Sequence, residues 1–541
     1  MTSPTDDRIA SVSQGRQSRH APILILLPAA LVATGMLVPL VYLIWRTLGA
    51  GAEVWDLVFR ARTLQLLIST AGLALAVTAA GTVLSIPLAW LTVRTDLPFR
   101  RAWAVLTILP LVIPTYVGGF TLVAALGPRG ILQQLLAIPF GIERLPEIYG
   151  FPGAMLALTL FAYPYMLLGL RASIRGLDPA LEEAARGLGH SAWSTFWHAT
   201  LPQLRPALAS GALLVALYTL SDFGAVSLLQ FDSFTRAIYT QYQGSFDRTM
   251  AAVLALILAA LTLFVLIGEA RTRGRARYHR STVGTVRPIA IVRLGRWRWP
   301  ALLFCALVVA CALLLPMSVL LYWLARGFTS GESFRLLSMA AVNSVYASVP
   351  AAVVAIIAAL PVAILSVRYP GRISDVVERA TYSGFALPGI VIALALVFFG
   401  ANYITPLYQT VVLLVAAYVV RFLPQAVGAT RSSLLQVSPS LEEAARGLGR
   451  GPLHVLAAVT IPLVRSGMLA GAALVFLTAM KELPATLLLS PIGFKTLATT
   501  TWAAAAQGLF AEAAAPALLM VALSGVSMAF LHREEGNGRH E

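Results

Sequence analysis

The chain has 541 residues, of which 58% are hydrophobic and only 12% are charged. This balance excludes an ordinary soluble globular protein. Apolar stretches of about 20 residues, long enough to cross a hydrocarbon core of about 30 Å, occur from end to end. The net charge of +16 could suggest nucleic acid, but the arginines lie at the ends of apolar stretches, as in membrane proteins. We therefore expect an all-α polytopic membrane protein that binds no nucleic acid.

Twelve transmembrane helices, or spans, are predicted in chain order. They cover residues 22–46, 63–93, 102–126, 151–171, 206–230, 249–269, 300–324, 339–367, 381–400, 408–429, 466–490 and 510–532. The first is too long for the apolar core of a cleavable signal peptide, the alternative interpretation, so we expect it to be retained. Most lysines and arginines lie on one side of this arrangement, which predicts that the N-terminus and the C-terminus are both cytoplasmic.

A nonapeptide of identical sequence occurs at Leu181–Gly189 and again at Leu441–Gly449, 260 positions later. Identity of this length in polar segments indicates a tandem duplication. An even number of spans separates the copies, which predicts two parallel six-helix repeats with a pathway between them. The offset falls from 274 at Pro114 and Pro388 to 260 at the nonapeptide, so the first repeat holds 14 extra residues, which we place in the external loop 127–150.

The two repeats are joined by a basic segment, 271–299, which carries nine arginines and no apolar periodicity. We interpret it as a cytoplasmic linker, and a patch that binds lipid headgroups is the alternative. The predicted organisation is then an N-terminal tail with the first span (1–62), a first transmembrane domain (63–270), the linker, a seventh span with an external loop (300–338), a second transmembrane domain (339–532) and a cytoplasmic tail (533–541).

Each nonapeptide has the end signals of a short helix. Asp178 in the first copy and Ser438 in the second are suitable N-caps, and a proline follows each at the first helical position. Gly187 and Gly189 can end the first helix, since glycine adopts the left-handed conformation that closes many helices. The sequence therefore predicts a cytoplasmic helix of about ten residues in each repeat.

The faces of this helix predict a docking role. An apolar stripe at positions i, i+3, i+4 and i+7 consists of Leu181, Ala184, Ala185 and Leu188. Glu182 has Arg186 four residues on, so we expect that pair to be satisfied within the helix, as for Glu442 in the second copy. Glu183 and Glu443 have a glycine there instead and are expected to face a cation on a cytosolic partner. The alternative is a helix that only bridges two spans on the protein's own surface.

The doubled segment resembles the EAA loop of the membrane subunits of ATP-binding-cassette importers. The matching residues are Glu183-Ala184-Ala185, Gly189 and Leu201-Pro202 in segment 178–202, and Glu443-Ala444-Ala445, Gly449 and Ile461-Pro462 in segment 438–462. The isoleucine in place of leucine is a mild departure. The resemblance implies that each helix couples the chain to one subunit of an ATPase dimer on the cytoplasmic side. It also implies a bacterial inner-membrane location, among membrane lipids, and an extracytoplasmic solute-binding protein.

The sequence holds no site for chemistry of its own. Gly493-Phe494-Lys495-Thr496 lacks the glycine before the lysine that a phosphate-binding loop needs. Histidine, cysteine and carboxylate residues show no catalytic or metal-ligand spacing, so no metal is assigned. We expect a non-enzymatic chain that binds no cofactor, with ATP and Mg²⁺ used by the partner ATPase.

Charged residues inside two spans mark a second candidate site. Asp222 with Gly224 lies late in the fifth span, and Lys481, Glu482 and Pro484 lie at the equivalent place in the eleventh. Carboxylates within a membrane are costly and are functional by default, and glycine and proline break helices where the backbone lines a cavity. We favour a position on the pathway or its outer gate. An interhelical salt bridge or hydrogen bond is the alternative.

The amino-acid sequences of these two segments indicate which solute the chain transports. Ser221–Val226 and Met480–Thr486 resemble the fused permeases of ferric-iron importers, and two acidic side chains near the axis are compatible with a trivalent cation. We therefore expect ferric iron. Thiamine, sulfate, phosphonate and polyamine are alternatives within the same importer class, and a secondary transporter with six plus six spans is a distant one.

Overall fold

The structure is a computed structural model. It describes residues 21–49, 51, 56, 58–177, 179–244, 248–272, 291–329 and 335–537. The cap Asp178, residues 273–290 of the linker, residues 1–20 of the N-terminal tail and residues 538–541 of the C-terminal tail lie outside the described residues.

The first half of the described chain is built from helices of very different lengths. In chain order they are α1 (Ile23–Leu48), α2 (Ala61–Arg94), α3 (Arg100–Leu106), α4 (Thr115–Leu126), α5 (Ile131–Phe140), α6 (Phe151–Arg175), α7 (Pro179–Gly187), α8 (Ala192–Thr195), α9 (Leu201–Ser221), α10 (Gly224–Leu228), α11 (Phe234–Gly244) and α12 (Thr249–Thr272). One turn of 3₁₀-helix, Leu109–Val112, precedes α4, and one π-helical turn, Phe196–Thr200, precedes α9.

The second half is built in the same way. Its helices are α13 (Arg298–Val309), α14 (Leu315–Thr329), α15 (Arg335–Arg368), α16 (Arg372–Ala386), α17 (Gly389–Tyr403), α18 (Val411–Gln436), α19 (Pro439–Gly447), α20 (Pro452–Val455), α21 (Ile461–Met480), α22 (Pro484–Leu489), α23 (Leu497–Ala506) and α24 (Phe510–Asn537). A π-helical turn, Leu456–Thr460, again precedes the span α21. The all-α prediction is confirmed, since the described residues contain one isolated β-bridge, Thr95–Val292, and no longer strand.

The described helices account for the twelve predicted spans in three ways. Ten are long and apolar enough to cross a membrane, and an eleventh is a pair broken between α16 and α17. The apolar part of α24, Phe510–Gly525, is shorter than the others. Between α17 and α18 the second repeat has only a 3₁₀ turn, Thr405–Leu407, whereas α5 fills that place in the first repeat. The helix bounds thus agree with extra residues in loop 127–150.

The predicted third and ninth spans are not continuous helices. Residues 102–126 form α3, the 3₁₀ turn and α4, and the apolar helical stretch runs on to Phe140. The chain is extended at Pro114 and at Pro388, where α4 and α17 begin. Proline has no N–H for the helical ladder and disfavours helical backbone in the residue before it. The sequence prediction did not include these breaks, because the two prolines were read as part of a span.

The predicted fifth and eleventh spans start too late and end too late. Apolar helix begins at Trp193 and Pro452, and it ends at Ser221 and Met480. Short helices α10 and α22 follow each break, and α11 and α23 follow those. Sequence reasoning did not find α11 and α23, because α11 is only weakly apolar and each is too short to resemble a span.

The chain divides into two compact units. One comprises residues 1–38, 352–384 and 422–475, and its core holds Ile364, Leu434 and Val464. The other comprises residues 39–351, 385–421 and 476–541. In this larger unit α2, α6 and α9 pack together, α4 packs against α10, α14 and α24, and α12 packs against α17. Helices of both repeats therefore meet inside the larger unit.

Candidate coupling and pathway sites

The two repeated helices, α7 and α19, have the same bounds relative to the nonapeptide. Each ends one residue before Leu188 or Leu448, and the chain then turns at a glycine with a positive φ, 86° at Gly189 and 80° at Gly449. A side chain at these φ values would be strained, which is why the turn requires glycine. In α19 the Ser438 side chain accepts a hydrogen bond from the Ser440 N–H, so the predicted cap is confirmed.

The apolar stripe and the second glutamate of each helix face outward. Leu188 and Leu448 are both 83% exposed, and Leu181 and Leu441 are half exposed. Glu183, Ala184, Glu443 and Ala444 are exposed too, and only Ala185 and Ala445 are partly covered. Each nonapeptide therefore exposes two leucines and a carboxylate. Apolar residues presented in a row on an otherwise polar segment mark a surface for another protein.

The first glutamate of each helix is buried, contrary to the prediction that it pairs only within its own helix. Glu182 accepts a hydrogen bond and ion pair from Arg94, at the last residue of α2, and a 2.9 Å hydrogen bond from the Thr200 hydroxyl. Among the described residues Arg186 forms no ion pair with Glu182. The prediction failed because a buried arginine 88 positions away competes better than a solvated neighbour.

In the second repeat the same prediction is half right. Glu442 pairs with Arg368, the last residue of α15, at 3.1 Å, and accepts a hydrogen bond of 3.3 Å from Thr460. Arg446 also lies 3.4 Å from Glu442, as the i,i+4 spacing predicts. The buried arginine–glutamate–threonine group is therefore present in both repeats, and the helical arginine is an addition in one.

Pro202 and Pro462 are the second residues of α9 and α21, directly after the π-helical turns. The N–H of the residue before each proline donates to a carbonyl five positions back, at Phe196 and at Leu456. Proline suits the next position because it has no N–H to place in the altered register. The two EAA-loop prolines thus start the span where the loop ends.

Asp222 occupies the break after α9. Its Oδ1 accepts hydrogen bonds from the N–H groups of Ala225 and Val226, at 3.0 and 3.3 Å, which caps α10. Its Oδ2 accepts a hydrogen bond from the Thr115 hydroxyl, at the first residue of α4. Gly224 is the first residue of α10. The buried carboxylate is thus held by neutral donors of two helices.

Glu482 occupies the equivalent break after α21 but has a charged partner. The Arg421 Nε lies 3.1 Å from its Oε2, and its Oε1 accepts from the Ala485 N–H at 3.3 Å. Pro484 begins α22. The neighbouring Lys481 points elsewhere and donates to the Leu111 carbonyl at 3.3 Å. The interhelical salt bridge weighed as an alternative is therefore present, with Arg421 as the partner rather than Lys481.

Sequence reasoning missed Arg421, although a signal was available. The arginine lies inside the predicted tenth span, where a charge is costly without a partner. Gly389 makes room for it, since a Cβ on Gly389 would lie 1.5 Å from the Arg421 Nη1 atom. The residue equivalent to Gly389 in the first repeat is Thr115, which binds Asp222. One position therefore supplies a hydroxyl in one repeat and space for a guanidinium in the other.

The pairing of these charges bears on the cargo. In the described part of the chain no group of three or more His, Cys, Asp or Glu side chains is placed to hold a metal ion. Glu482 is neutralised by Arg421, and Asp222 serves as a helix cap. Asp222 and Glu482 therefore give no support to a trivalent cation as the cargo.

The family of the chain is shown by comparison with known proteins. Residues 81–273 and 351–533 both match the family described as the binding-protein-dependent transport system inner membrane component. Each matched range contains one repeated helix and one of the two breaks at Asp222 and Glu482. The prediction of two homologous transmembrane repeats is confirmed.

The chain is similar to several permease proteins of transport systems. The Fe(3+)-transport system permease protein FbpB 2 of Haemophilus influenzae is 34% identical over 520 residues, which cover 95% of this chain and 99% of the relative. The ferric transport system permease protein FbpB of Actinobacillus pleuropneumoniae is 27% identical over 74% of this chain and 61% of its own length. The molybdenum transport system permease protein ModB of Escherichia coli is 34% identical over 33% of this chain and 80% of its own length. This chain belongs to the family of inner membrane components of binding-protein-dependent transport systems.

Proposed function

We propose that the chain is the permease subunit of an ATP-binding-cassette importer, with both termini in the cytoplasm and an ATPase dimer seated on α7 and α19. The observation that carries this proposal is the outward face that the two helices share, with exposed leucines and an exposed glutamate at matching positions. Two copies of one face suit two copies of one partner. A dimeric ATPase can contact both through identical grooves.

The chemistry of that face defines the groove. Leu181 and Leu188 are about two helical turns apart, with two alanines between them, so the partner needs an apolar cleft narrow enough for close approach. Glu183 is exposed outside this stripe, about 200° around the helix from Leu181, and requires a cation on a part of the partner outside the apolar cleft. ATP and Mg²⁺ would act in the ATPase, and the resulting movement would reach this chain through the seated helices.

The spans that follow the helices connect the two candidate sites along the chain. Helix α9 begins after the π-helical turn that follows α7 and ends beside Asp222, and α21 has the same relation to α19 and Glu482. Movement of each repeated helix can thus be carried along one span to a break in that span. We propose that these breaks, with Asp222, Gly224, Lys481, Glu482 and Pro484, form part of the pathway or its outer gate. A loaded extracytoplasmic binding protein would release its cargo there.

Ferric iron is the cargo that we propose. Its support is the relative named for Fe(3+) transport, which aligns over nearly the whole of both chains, whereas the molybdenum permease aligns over one third of this chain. Thiamine, sulfate, phosphonate and polyamine remain alternatives. The charge-neutral environment of Glu482 fits an importer in which the binding protein, rather than the permease, selects the cargo.

The docking proposal is tested with the variant carrying Glu183→Gln and Glu443→Gln. We expect the ATPase to be lost from the detergent-purified complex and transport to fall with it, because two interface charges are removed at once. The matched control is Glu147→Gln, which changes a solvent-exposed glutamate that pairs with Arg144 in loop 127–150. Full retention of the ATPase by the double variant would refute the docking proposal.

The cargo is tested separately, by uptake of radiolabelled ferric iron in a strain that lacks the gene and all other iron importers. Restoration of uptake by the gene, with no effect on labelled thiamine, is the expected result. Unimpaired iron uptake in the deletion strain would refute ferric iron and leave the ATPase-docking proposal intact.

A further inference from the structure

On its buried side, each repeated helix forms an ion pair that the docking role does not require. In the first repeat Arg94 is 2% exposed and Glu182 is 9% exposed, so the ion pair lies out of water. Arg94 ends α2, a helix of 34 residues, and Glu182 lies in the middle of α7. The ion pair thus connects the end of α2 to α7, the helix that carries the exposed docking residues.

A third residue, Thr200, connects the ion pair to the next span, α9. Thr200, which donates to Glu182, is the last residue of the π-helical turn that leads into α9. Around it, the Arg94 guanidinium lies over the Trp90 ring at 5.3 Å, and Trp90 packs edge-on against Phe196, the first residue of the π turn. Glu182 therefore joins α7 to the end of α2 and to the start of α9.

The second repeat contains an independent copy of the same arrangement. Arg368 at the end of α15 and Thr460 at the end of the second π turn both contact Glu442 of α19. Arg368 also donates to the Val437 carbonyl at 3.0 Å. Leu456, the first residue of that turn, packs against a cluster that contains Ile364, so aliphatic side chains occupy the positions equivalent to Trp90 and Phe196.

A buried ion pair is a poor device for stability alone. Removing two charges from water costs as much as, or more than, their attraction returns, and well-packed apolar residues often stabilise a protein better. What the pair does provide is a fixed geometry, since a guanidinium and a carboxylate hold each other in defined directions. π-helical turns are likewise uncommon and frequently occur at functional sites. A third one, Ala310–Leu314, lies within the seventh span and belongs to neither group.

We propose that Arg94–Glu182–Thr200 and Arg368–Glu442–Thr460 are positioning groups that transmit movement of the docked helices α7 and α19 to the spans on either side. In each group the exposed face receives the force of the ATPase, and the buried carboxylate passes it to the end of α2 or α15 and to the start of α9 or α21. This inference rests on the proposed function, because it assumes the ATPase.

The test uses the complete complex of this chain with its ATPase, and its readout is independent of cargo. Spin labels are placed through Gln230→Cys and Gln507→Cys, in a background with Cys305 and Cys311 replaced by serine. Gln230 and Gln507 are exposed and line one cavity of about 320 Å³ near the break at Asp222. The distance between the labels is measured without nucleotide and after ATP is trapped with vanadate. ATPase retention is measured in the same samples.

We expect the variant carrying Glu182→Gln and Glu442→Gln to keep its ATPase, since the exposed face is unchanged, while the fraction of complexes that respond to ATP falls about tenfold. The milder variant carrying Thr200→Val and Thr460→Val, which removes one hydrogen bond from each group, should show the same effect to a smaller degree. A further variant replaces Arg94, Glu182, Arg368 and Glu442 with glutamine. It leaves no unpaired buried charge and should express well yet still respond poorly.

Two results would overturn the inference. One is a normal label response in all these variants. The other is loss of the ATPase together with a normal response in the complexes that remain, which would make the groups merely structural. A wild-type complex that retains no ATPase would instead refute the proposed function, so the two failures are distinguishable.

Discussion

The repeated helices and the span breaks are two pairs of equivalent regions, and they differ in how alike their members are. Helices α7 and α19 share all but one residue of their sequence, their bounds relative to the nonapeptide, their exposed residues and the type of their buried partner. The breaks share only their place in the chain, since Asp222 is held by neutral donors and Glu482 by Arg421. The first pair faces outward and the second is buried within the protein.

The contrast reflects what constrains each region: the repeated helices must fit a partner protein, and the breaks must fit the residues around them. A face that meets two copies of one partner must be the same twice, because an identical groove accepts only one shape. A buried break has to satisfy only its own surroundings, and these differ between the repeats. Thr115 fills one equivalent position and Gly389 leaves the other open for Arg421. The alignment of the breaks therefore predicts their location but not their chemistry.

The largest effect is expected from the same chemical change made at the two breaks. Glu482→Gln leaves the Arg421 guanidinium without this carboxylate and should lower the free energy of unfolding by about 3–5 kcal/mol. Asp222→Asn should cost only about 1 kcal/mol, because the amide oxygen can still accept from the N–H groups of α10 and the amide N–H can donate to the Thr115 hydroxyl oxygen. Thermal unfolding of the purified variants in detergent measures both.

A suitable control for this pair is again Glu147→Gln. Its partner Arg144 and Glu147 itself are both about two-thirds exposed, so the change should cost less than about 1 kcal/mol. Equal destabilisation by Glu482→Gln and Asp222→Asn would mean that the two breaks are alike in energy. The contrast between neutral and charged partners would then be wrong.

The residues show which features a sequence can predict and which it cannot. Helix ends depend on neighbours along the chain, so Ser438, Gly189 and Gly449 could be assigned from local rules. The partner of Glu182 could not. Arg186 was within reach along the helix, and nothing in the sequence revealed that Arg94 lies closer in space. Pairing at long sequence separation is decided by packing, which a single sequence does not display.

At the span breaks, too, the sequence predicts the location but not the partners of the charged residues. The costly charge of Asp222 and Glu482 and the helix-breaking residues after them marked the breaks correctly. The exchange of partners between the repeats was hidden, because it depends on which side chain occupies the position after Pro114 and Pro388. Neither Thr115 nor Gly389 carries a signal until the neighbouring helix is placed against it.

The smallest effect tests whether the repeated helices are equivalent in energy as well as in form. Gly189→Ala and Gly449→Ala each place a side chain at a positive φ, which should destabilise each helix end by about 1 kcal/mol, to the same extent in both copies. Hydrogen exchange at the backbone amides of α7 and α19 reports this locally. Gly187→Ala is the matched control, since Gly187 is helical and a Cβ there meets open space, so exchange should slow rather than quicken. Unequal responses of α7 and α19 would show that one copy is held more firmly, and a symmetric partner would then load the two repeats unequally.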